Sequence, residues 1–533
     1  PLLADTSSRV RFFAAEALGR IGHEPAIQPI ITMLRENDDR DAYLRHAGSL
    51  ALARIGKAEP VVALYRDQSR ALRIAAVVAL RRMRHAGVAR FLDDSDEFIV
   101  TEAARAINDD LSIEAALPAL ADLLLKTKFT NEALIRRVIN ANLRVGKTEQ
   151  LQRLIQYAGQ QTASAALRAE AVSTVGVWKK PSVLDRVDGR YRGTLTPDTT
   201  ALAGIVQTAL PALLSDRDLT VRLAAAEAAG RLEVSELGAS LFAALQRERE
   251  PAMRIACLKA LVALEAPEQE PAIRRALDDP EKTVRVAGLD LLEHTDLAPD
   301  VMVGLLSNVI ATKTIEEKQA AITSLGRLPV NQTASVFEQL LARMEKGTLD
   351  KRVYLELGEA IDSAGSEPLA ARYQAASKSL SADELLASYA GSLEGGDPAR
   401  GRRVFFQHQQ AQCMKCHAYD DRGGNAGPRL NGVGKLLSRE QLLEALIEPS
   451  KRIAPGYGVV ILELDDGQSA SGIYLGEDRT GVKIRKGQEE QFVPNERIKK
   501  KTFSPSSMLD MKPILTKREI RDVVSFLATL TDD

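Results

Sequence analysis

The chain has 533 residues, with 71 Lys and Arg against 72 Asp and Glu and a formal net charge of −1. Such a length holds several domains, and so even a balance excludes a global field that would draw in nucleic acid or an anionic membrane. No apolar run reaches the roughly 18 residues that a membrane-spanning helix needs. Aromatic residues are only 4% of the chain, while Ala and Leu abound, a balance suited to stacked helices with small residues at their contacts. The sequence opens at Pro1 in mid-pattern without a Met, so an upstream part is expected to be missing and the lack of a secretory signal says nothing about export.

Residues 1–365 carry an internal repeat. Val10-Arg11-Phe12-Phe13-Ala14-Ala15 and Leu44-Arg45-His46-Ala47-Gly48 begin two copies offset by 34 positions. Further copies start at Leu72-Arg73, Val221-Arg222, Met253-Arg254 and Val284-Arg285. Weaker ones fall at Phe98–Ile107, Leu134–Leu143, Leu167–Val175, Lys318–Leu325 and Val353–Ile361. Ala and Leu recur at helical spacing, which gives each helix one apolar face. A single helix pair cannot bury that face, so neighbours must stack. Acidic turns such as Asp216-Arg217-Asp218 and Asp278-Asp279-Pro280 are placed to cap incoming helices. The pattern resembles the HEAT-repeat family, which implies an α-solenoid of roughly ten helix pairs. One segment, Val177 to Arg192, breaks the period and holds the only Trp. It reads as an extended loop, with Trp178 either plugging the solenoid core or meeting a partner. Cys257, in an Ala/Leu-rich stretch, reads as a small buried hydrophobe.

Residues 366–394 read as a helical linker, and residues 395–533 as a separate domain. Asp397 before Pro398 marks a helix start. The next helix begins at Ser438 with Gln441 three positions on, and the last at Thr516 with Glu519, both capping boxes. Between them, a β insertion at about 457–503 is expected, with strands at Val459–Leu464, Ser469–Leu475, Val482–Arg485 and Gln491–Val493 in a unit of four or five.

That domain opens on Cys413-Met414-Lys415-Cys416-His417. The C-x-x-C-H spacing is the attachment signature of haem c: two thiols on one helical turn form thioethers, and the adjacent imidazole is offered to the iron. The chain has only three Cys, so cysteines alone cannot build a four-ligand zinc site. Phe405 and Phe406 are placed to pack on a porphyrin. The sixth-ligand candidates are Met508, Met511, His408 and Met414; Met414 lies inside the attachment loop, and His408 reads as a surface or supporting residue. The Gly427-Pro428-Arg429-Leu430 stretch resembles the class I cytochrome c pattern, which implies that the Pro428 carbonyl accepts a hydrogen bond from His417. The same resemblance places the ligand methionine just ahead of the last helix, favouring Met508, with Met511 second.

Residues 395–533 further resemble the haem-binding C-x-x-C-H domain of planctomycete and verrucomicrobial type. The resemblance runs from the lead-in ending at Phe405 through Ile447-Glu448-Pro449-Ser450, Ala454-Pro455-Gly456-Tyr457 and Ser507-Met508 to Leu515–Leu527, with Leu509 standing where the family usually has Pro. It implies a mainly α chain: a solenoid followed by a class I cytochrome c-like domain with a small antiparallel β insertion, fused to or serving a dehydrogenase. The expected function is a periplasmic monohaem electron carrier whose solenoid docks a redox partner protein or an upstream dehydrogenase domain. Lys415, Arg422 and Arg429 are candidates for steering that partner. The alternatives are a dehydrogenase fragment and a haem-based gas or redox sensor. No Ser-His-Asp set and no Gly-rich phosphate loop after a strand speak for an enzyme, and the six His are scattered at His23, His46, His85, His294, His408 and His417.

Overall fold

The helices that carry the repeated apolar-Arg unit stack in chain order, as the Ala/Leu spacing predicts. In the computed structural model, which describes residues 1–532, the chain divides into two units, Pro1–Asp296 and Leu297–Asp533.

In the first unit, Ser8–Arg20, Ala42–Ile55, Arg70–Met83, Glu97–Asn108 and Glu132–Val145 pack each on the next, and the row continues through Ala165–Val175, Leu219–Leu232, Pro251–Ala263 and Lys282–Leu292. Their apolar positions form the core: Leu44, Leu72, Leu80, Ile99, Val138, Val221 and Leu258 are buried. Small residues set the crossing distance. A Cβ on Gly19 would stand 2.7 Å from Ala51 Cα, closer than any side chain tolerates.

The Arg of the repeated unit links one turn to the next. Arg73 donates to the Asp67 carbonyl at 2.7 Å, ahead of its own helix, and to the Asp94 carboxylate of the following turn at 2.7 Å. Arg222 does the same with the Asp216 carbonyl (3.0 Å) and Glu248 (2.9 Å), and Arg254 with the Arg249 carbonyl (2.6 Å) and Asp279 (2.9 Å). The side chains of Arg73 and Arg254 are largely buried, where charge-assisted bonds to two elements hold the register better than a surface pair does.

Between helices Ala165–Val175 and Leu202–Leu213 the chain leaves the helical path. Trp178 is fully buried there and its indole N–H donates to the Asp198 carbonyl at 2.8 Å, the core reading of that residue. Cys257 is also fully buried, and burial pushes its thiol up to about 12.

The second unit opens with paired helices, Pro299–Thr312 with Ile315–Leu325 and Val330–Glu345 with Tyr354–Ala364, followed by Glu367–Lys378. Helix Pro398–Gln407 then lies against the last helix, Lys517–Ala528. Gly401 sits at their crossing, where a Cβ would meet the Asp522 carbonyl oxygen at 1.9 Å. The expected caps are formed: Asp397 accepts from the amides of Ala399 and Arg400, and Ser438/Gln441 and Thr516/Glu519 are reciprocal boxes.

The insertion is one antiparallel sheet of five strands: β1 (Val459–Leu464), β2 (Ser469–Glu477), β3 (Gly481–Lys486), β4 (Glu489–Pro494) and β5 (Ile498–Phe503), in the order β4-β3-β2-β1-β5. Only Asn495–Arg497 separates β4 from β5, although they are the two edges. Four chain steps reach about 14 Å, while the edges of a flat five-stranded sheet stand about 19 Å apart. The sheet is therefore curled toward closure around Val460, Leu462, Val482, Ile484 and Val493.

The chain is thus mainly helical, with solenoid-like repeats and a small antiparallel sheet near its C-terminus. Among the described residues no helix is long and apolar enough to cross a membrane.

Candidate functional site

The C-x-x-C-H segment forms a single helical turn, Cys413–Cys416, entered through Gln412 in a left-handed conformation (φ 44°). Cys413 is half-buried at the edge of the apolar cluster that contains Phe405, Leu446, Met511 and Phe526, and burial pushes its thiol up. Cys416 is exposed and both thiols are free.

His417 ends the turn with extended backbone (φ −103°, ψ 138°). Its Nδ1 lies 2.8 Å from the Pro428 carbonyl oxygen, the contact that the Gly-Pro pattern implied. A carbonyl only accepts, so Nδ1 is the donor, and in the neutral ring Nε2 carries the lone pair. Gly427 is buried under the ring: a Cβ there would stand 2.8 Å from His417 Cε1. The imidazole is therefore fixed in both tautomer and orientation.

The two methionines part company. Met511 is a core residue, 5% exposed, whose amide donates to the Leu446 carbonyl at 3.0 Å. Met508 is half-buried on the rim of the same cluster, where Cys413 and Met414 also pack, and its amide donates to Ser506 Oγ at 3.1 Å. His408 caps helix Pro398–Gln407; its Nδ1 accepts from the amides of Gln410 (3.3 Å) and Ala411 (3.1 Å), so it builds the loop leading to Cys413. Phe405 is spent on the helix crossing with Phe526, while Phe406 stays half-buried beside Tyr419. Lys415, Arg422 and Arg429 are exposed, and Arg429 donates to Asn431 at 3.0 Å.

Sequence reasoning missed how this segment is anchored within its unit. Arg521 of the last helix donates to both carboxylate oxygens of Glu356, at 2.8 and 3.0 Å, and both side chains are buried. Arg518 donates to Glu359 at 2.7 Å, and Gln319 donates to the carbonyls of Arg352 (2.7 Å) and Gly395 (2.9 Å). Residues so far apart in sequence carry no local signal.

No family model matches the chain, and no curated protein matches it. Among solved structures it is similar to an engineered protein (17% identity over 60% of this chain and 95% of that one, TM-score 0.32). It is similar also to importin beta crystallised in a polyethylene glycol condition (14% identity, 78% and 73%, TM-score 0.32). A third is Kap121p bound to Pho4p (13% identity, 77% and 48%, TM-score 0.45). At these scores no function is carried across.

These findings correct the expectation drawn from the motif. Membership of the planctomycete-type haem-domain family, and the periplasmic electron carrier, dehydrogenase fragment or gas sensor built on it, have no matching family model behind them. Importin beta and Kap121p are among the solved structures to which the chain is similar. Metal binding by the clustered side chains is corrected too: among the described residues no three His, Cys, Asp or Glu come together so as to hold a metal ion. The physical reason is local. The extended backbone at His417 turns its ring to Pro428.

Proposed function

We propose that the chain is a protein-docking scaffold. The observation that carries this reading is the excursion of residues 176–201. Long segments without regular structure inside a compact unit are uncommon and are usually functional or disordered; this one is pinned. Asp185 is buried and accepts from the amides of Val187 (2.8 Å) and Asp188 (3.2 Å), from Asn140 (2.9 Å) and from Arg192 (3.2 Å). Leu184 and Tyr191 bridge across it and remain 49% and 73% exposed. Apolar side chains held out on a fixed backbone lower the ordering cost of binding a protein partner. The test is a photo-crosslinking residue at position 184 or 191, with one at exposed Glu236 as control, in the full chain. A saturable adduct of one mass, specific to positions 184 and 191 and competed by unlabelled chain, is expected; equal labelling at Glu236 overturns the reading.

A second reading concerns Cys413–His417 and rests on the fixed imidazole. We propose the two thiols as the points where one haem c would attach covalently; His417 Nε2 and Met508, or in second place Met511, would hold its iron. The lone pair on Nε2 of the neutral ring and the exposed or half-buried thiols fit such a group. When bound it supplies an iron centre; no electron-carrying role is attached to it. Thioether attachment belongs with a periplasmic or other extracytoplasmic location. Intact-mass spectrometry tests this after expression with a haem c maturation system. One haem added, and lost in Cys413→Ala/Cys416→Ala, supports it; an unmodified mass overturns it.

A further inference from the structure

We infer that a groove on the first unit, between the end of helix Arg70–Met83 and the turn after helix Glu97–Asn108, binds an acidic segment of a partner protein through an apolar anchor. This rests on the docking reading above and names the partner's chemistry. The groove has a volume of about 510 Å³, and its lining includes Val77, Arg81, Arg82, Arg84, Leu111 and Ile113.

Glu102, Asp109 and Asp110 line it as well. These three carboxylates are already engaged: Asp109 with Arg137 at 2.6 and 2.9 Å, Glu102 with Arg105, and Asp110 with Arg81 and, at 3.1 Å, Arg190. Among the described residues Arg84 reaches only the Leu111 carbonyl, at 3.4 Å. Arg82 is exposed and has no carboxylate partner among the described residues. Two cations of the groove thus have no ion-pair partner among the described residues, on a chain whose net charge is −1. A carboxylate-bearing segment satisfies them, and a basic one is repelled.

The apolar element is held in place by its surroundings. Leu111 is 67% exposed and stands between Asp110 (φ 52°) and Ser112 (φ 54°), both left-handed non-glycine residues. Such a turn persists only when its neighbours over-determine it. Here they do: the Ser112 hydroxyl donates to the Ile107 carbonyl at 2.8 Å, Arg192 donates to the Asp110 carbonyl at 2.6 Å, and the Asp110 amide donates to Asp188 at 3.1 Å. The excursion therefore fixes the turn that carries Leu111, beside Val77 and Ile113, which are both buried. An exposed leucine, a buried apolar floor and unpaired guanidinium groups together match a segment in which acidic and apolar residues alternate.

The test is fluorescence anisotropy on the full chain with three labelled twelve-residue peptides, alternating Glu-Leu, Gln-Leu and Lys-Leu. The Glu-Leu peptide is expected to bind, with affinity falling as salt rises, and roughly tenfold more tightly than Gln-Leu. Arg82→Glu with Arg84→Glu, at exposed positions that leave the core intact, is expected to weaken it roughly tenfold and to improve Lys-Leu binding. Leu111→Asp is expected to weaken it with unchanged circular dichroism. No binding of Glu-Leu, or affinities that the Arg82/Arg84 variant leaves unchanged, overturns the inference while leaving the crosslinking test of docking untouched. A concentration-dependent dimer by light scattering that the same variant abolishes also overturns it, assigning the groove to a second copy of the chain.

Discussion

Glu356→Leu is the most informative single change in the second unit. Arg521 and Glu356 are about 2% and 1% exposed, so neither side chain can fall back on water when its partner goes. Breaking a buried ion pair from one side costs about 3–5 kcal/mol, because the remaining charge stays uncompensated. The two sides are not equal. Without Glu356, Arg521 has no other carboxylate among the described residues; without Arg521, Glu356 still has Arg518 at 3.8 Å. Glu356→Leu therefore belongs at the upper end of that range and Arg521→Met at the lower. Arg521 Nε is also buried without an acceptor, so the pair does not fully offset its own desolvation. Replacing both residues, Glu356→Leu with Arg521→Met, is accordingly expected to recover most of the loss, ending within about 1 kcal/mol of the parent. The assay is hydrogen exchange by mass spectrometry on the segment 517–528, backed by calorimetry. For a unit of this size each kcal/mol lowers the transition by roughly 2–4 °C. The reasoning fails if Glu356→Leu leaves exchange of that helix unchanged, or if the double variant is as unstable as the worse single one.

Three further outcomes are expected. Gly401→Ala forces a Cβ against the Asp522 carbonyl and should cost at least about 1–3 kcal/mol through overpacking, read as a lower urea midpoint with the first unit's transition unchanged. Burial works against ionisation of Asp216, but hydrogen bonds from Arg168, the Asp218 amide and Gln161, with the Arg168 charge, outweigh it and hold the carboxyl at about 2. Because the folded value lies below the unfolded one, its stabilisation is present above pH about 4 and is lost as the pH falls through about 2. Asp216→Asn should flatten the acid-unfolding curve of the first unit in that window, and an unchanged curve would refute the assignment. Asp185→Asn places an amide among four donors that need a carboxylate; a loss of about 1–3 kcal/mol should appear as faster exchange across residues 183–192 while the flanking helices keep theirs.

Local chemistry was the legible part of this chain. Asp397, Ser438 with Gln441 and Thr516 with Glu519 announce helix starts because a cap is a contact between residues two or three positions apart, and all of them formed. Strands β1 to β4 were visible in their alternation. β5 was not, because Lys499-Lys500-Lys501 interrupts the apolar pattern, yet lysines suit an edge strand whose free backbone groups must not recruit another chain. The curl of the sheet follows only once β5 is known to sit beside β1. Glu356 and Arg521 were out of reach for the same reason: a pair made by packing leaves no trace in sequence spacing.

The C-x-x-C-H segment shows where such reading stops. Its spacing states that two thiols and an imidazole leave the backbone within one turn, and the structure agrees. The Pro428 contact, eleven positions on, was implied by a pattern and is formed at 2.8 Å. An activity needs more than these distances. Carrying electrons to a partner depends on a surface, a potential and an acceptor, none of which five residues encode. Docking, by contrast, is a property of what the surface leaves uncompensated. Among the described residues Arg82 and Arg84 lack carboxylate partners, because the acids around them are committed elsewhere in the fold. The groove proposed as a binding face therefore follows from which ion pairs the fold has already formed, and no motif in the sequence marks it.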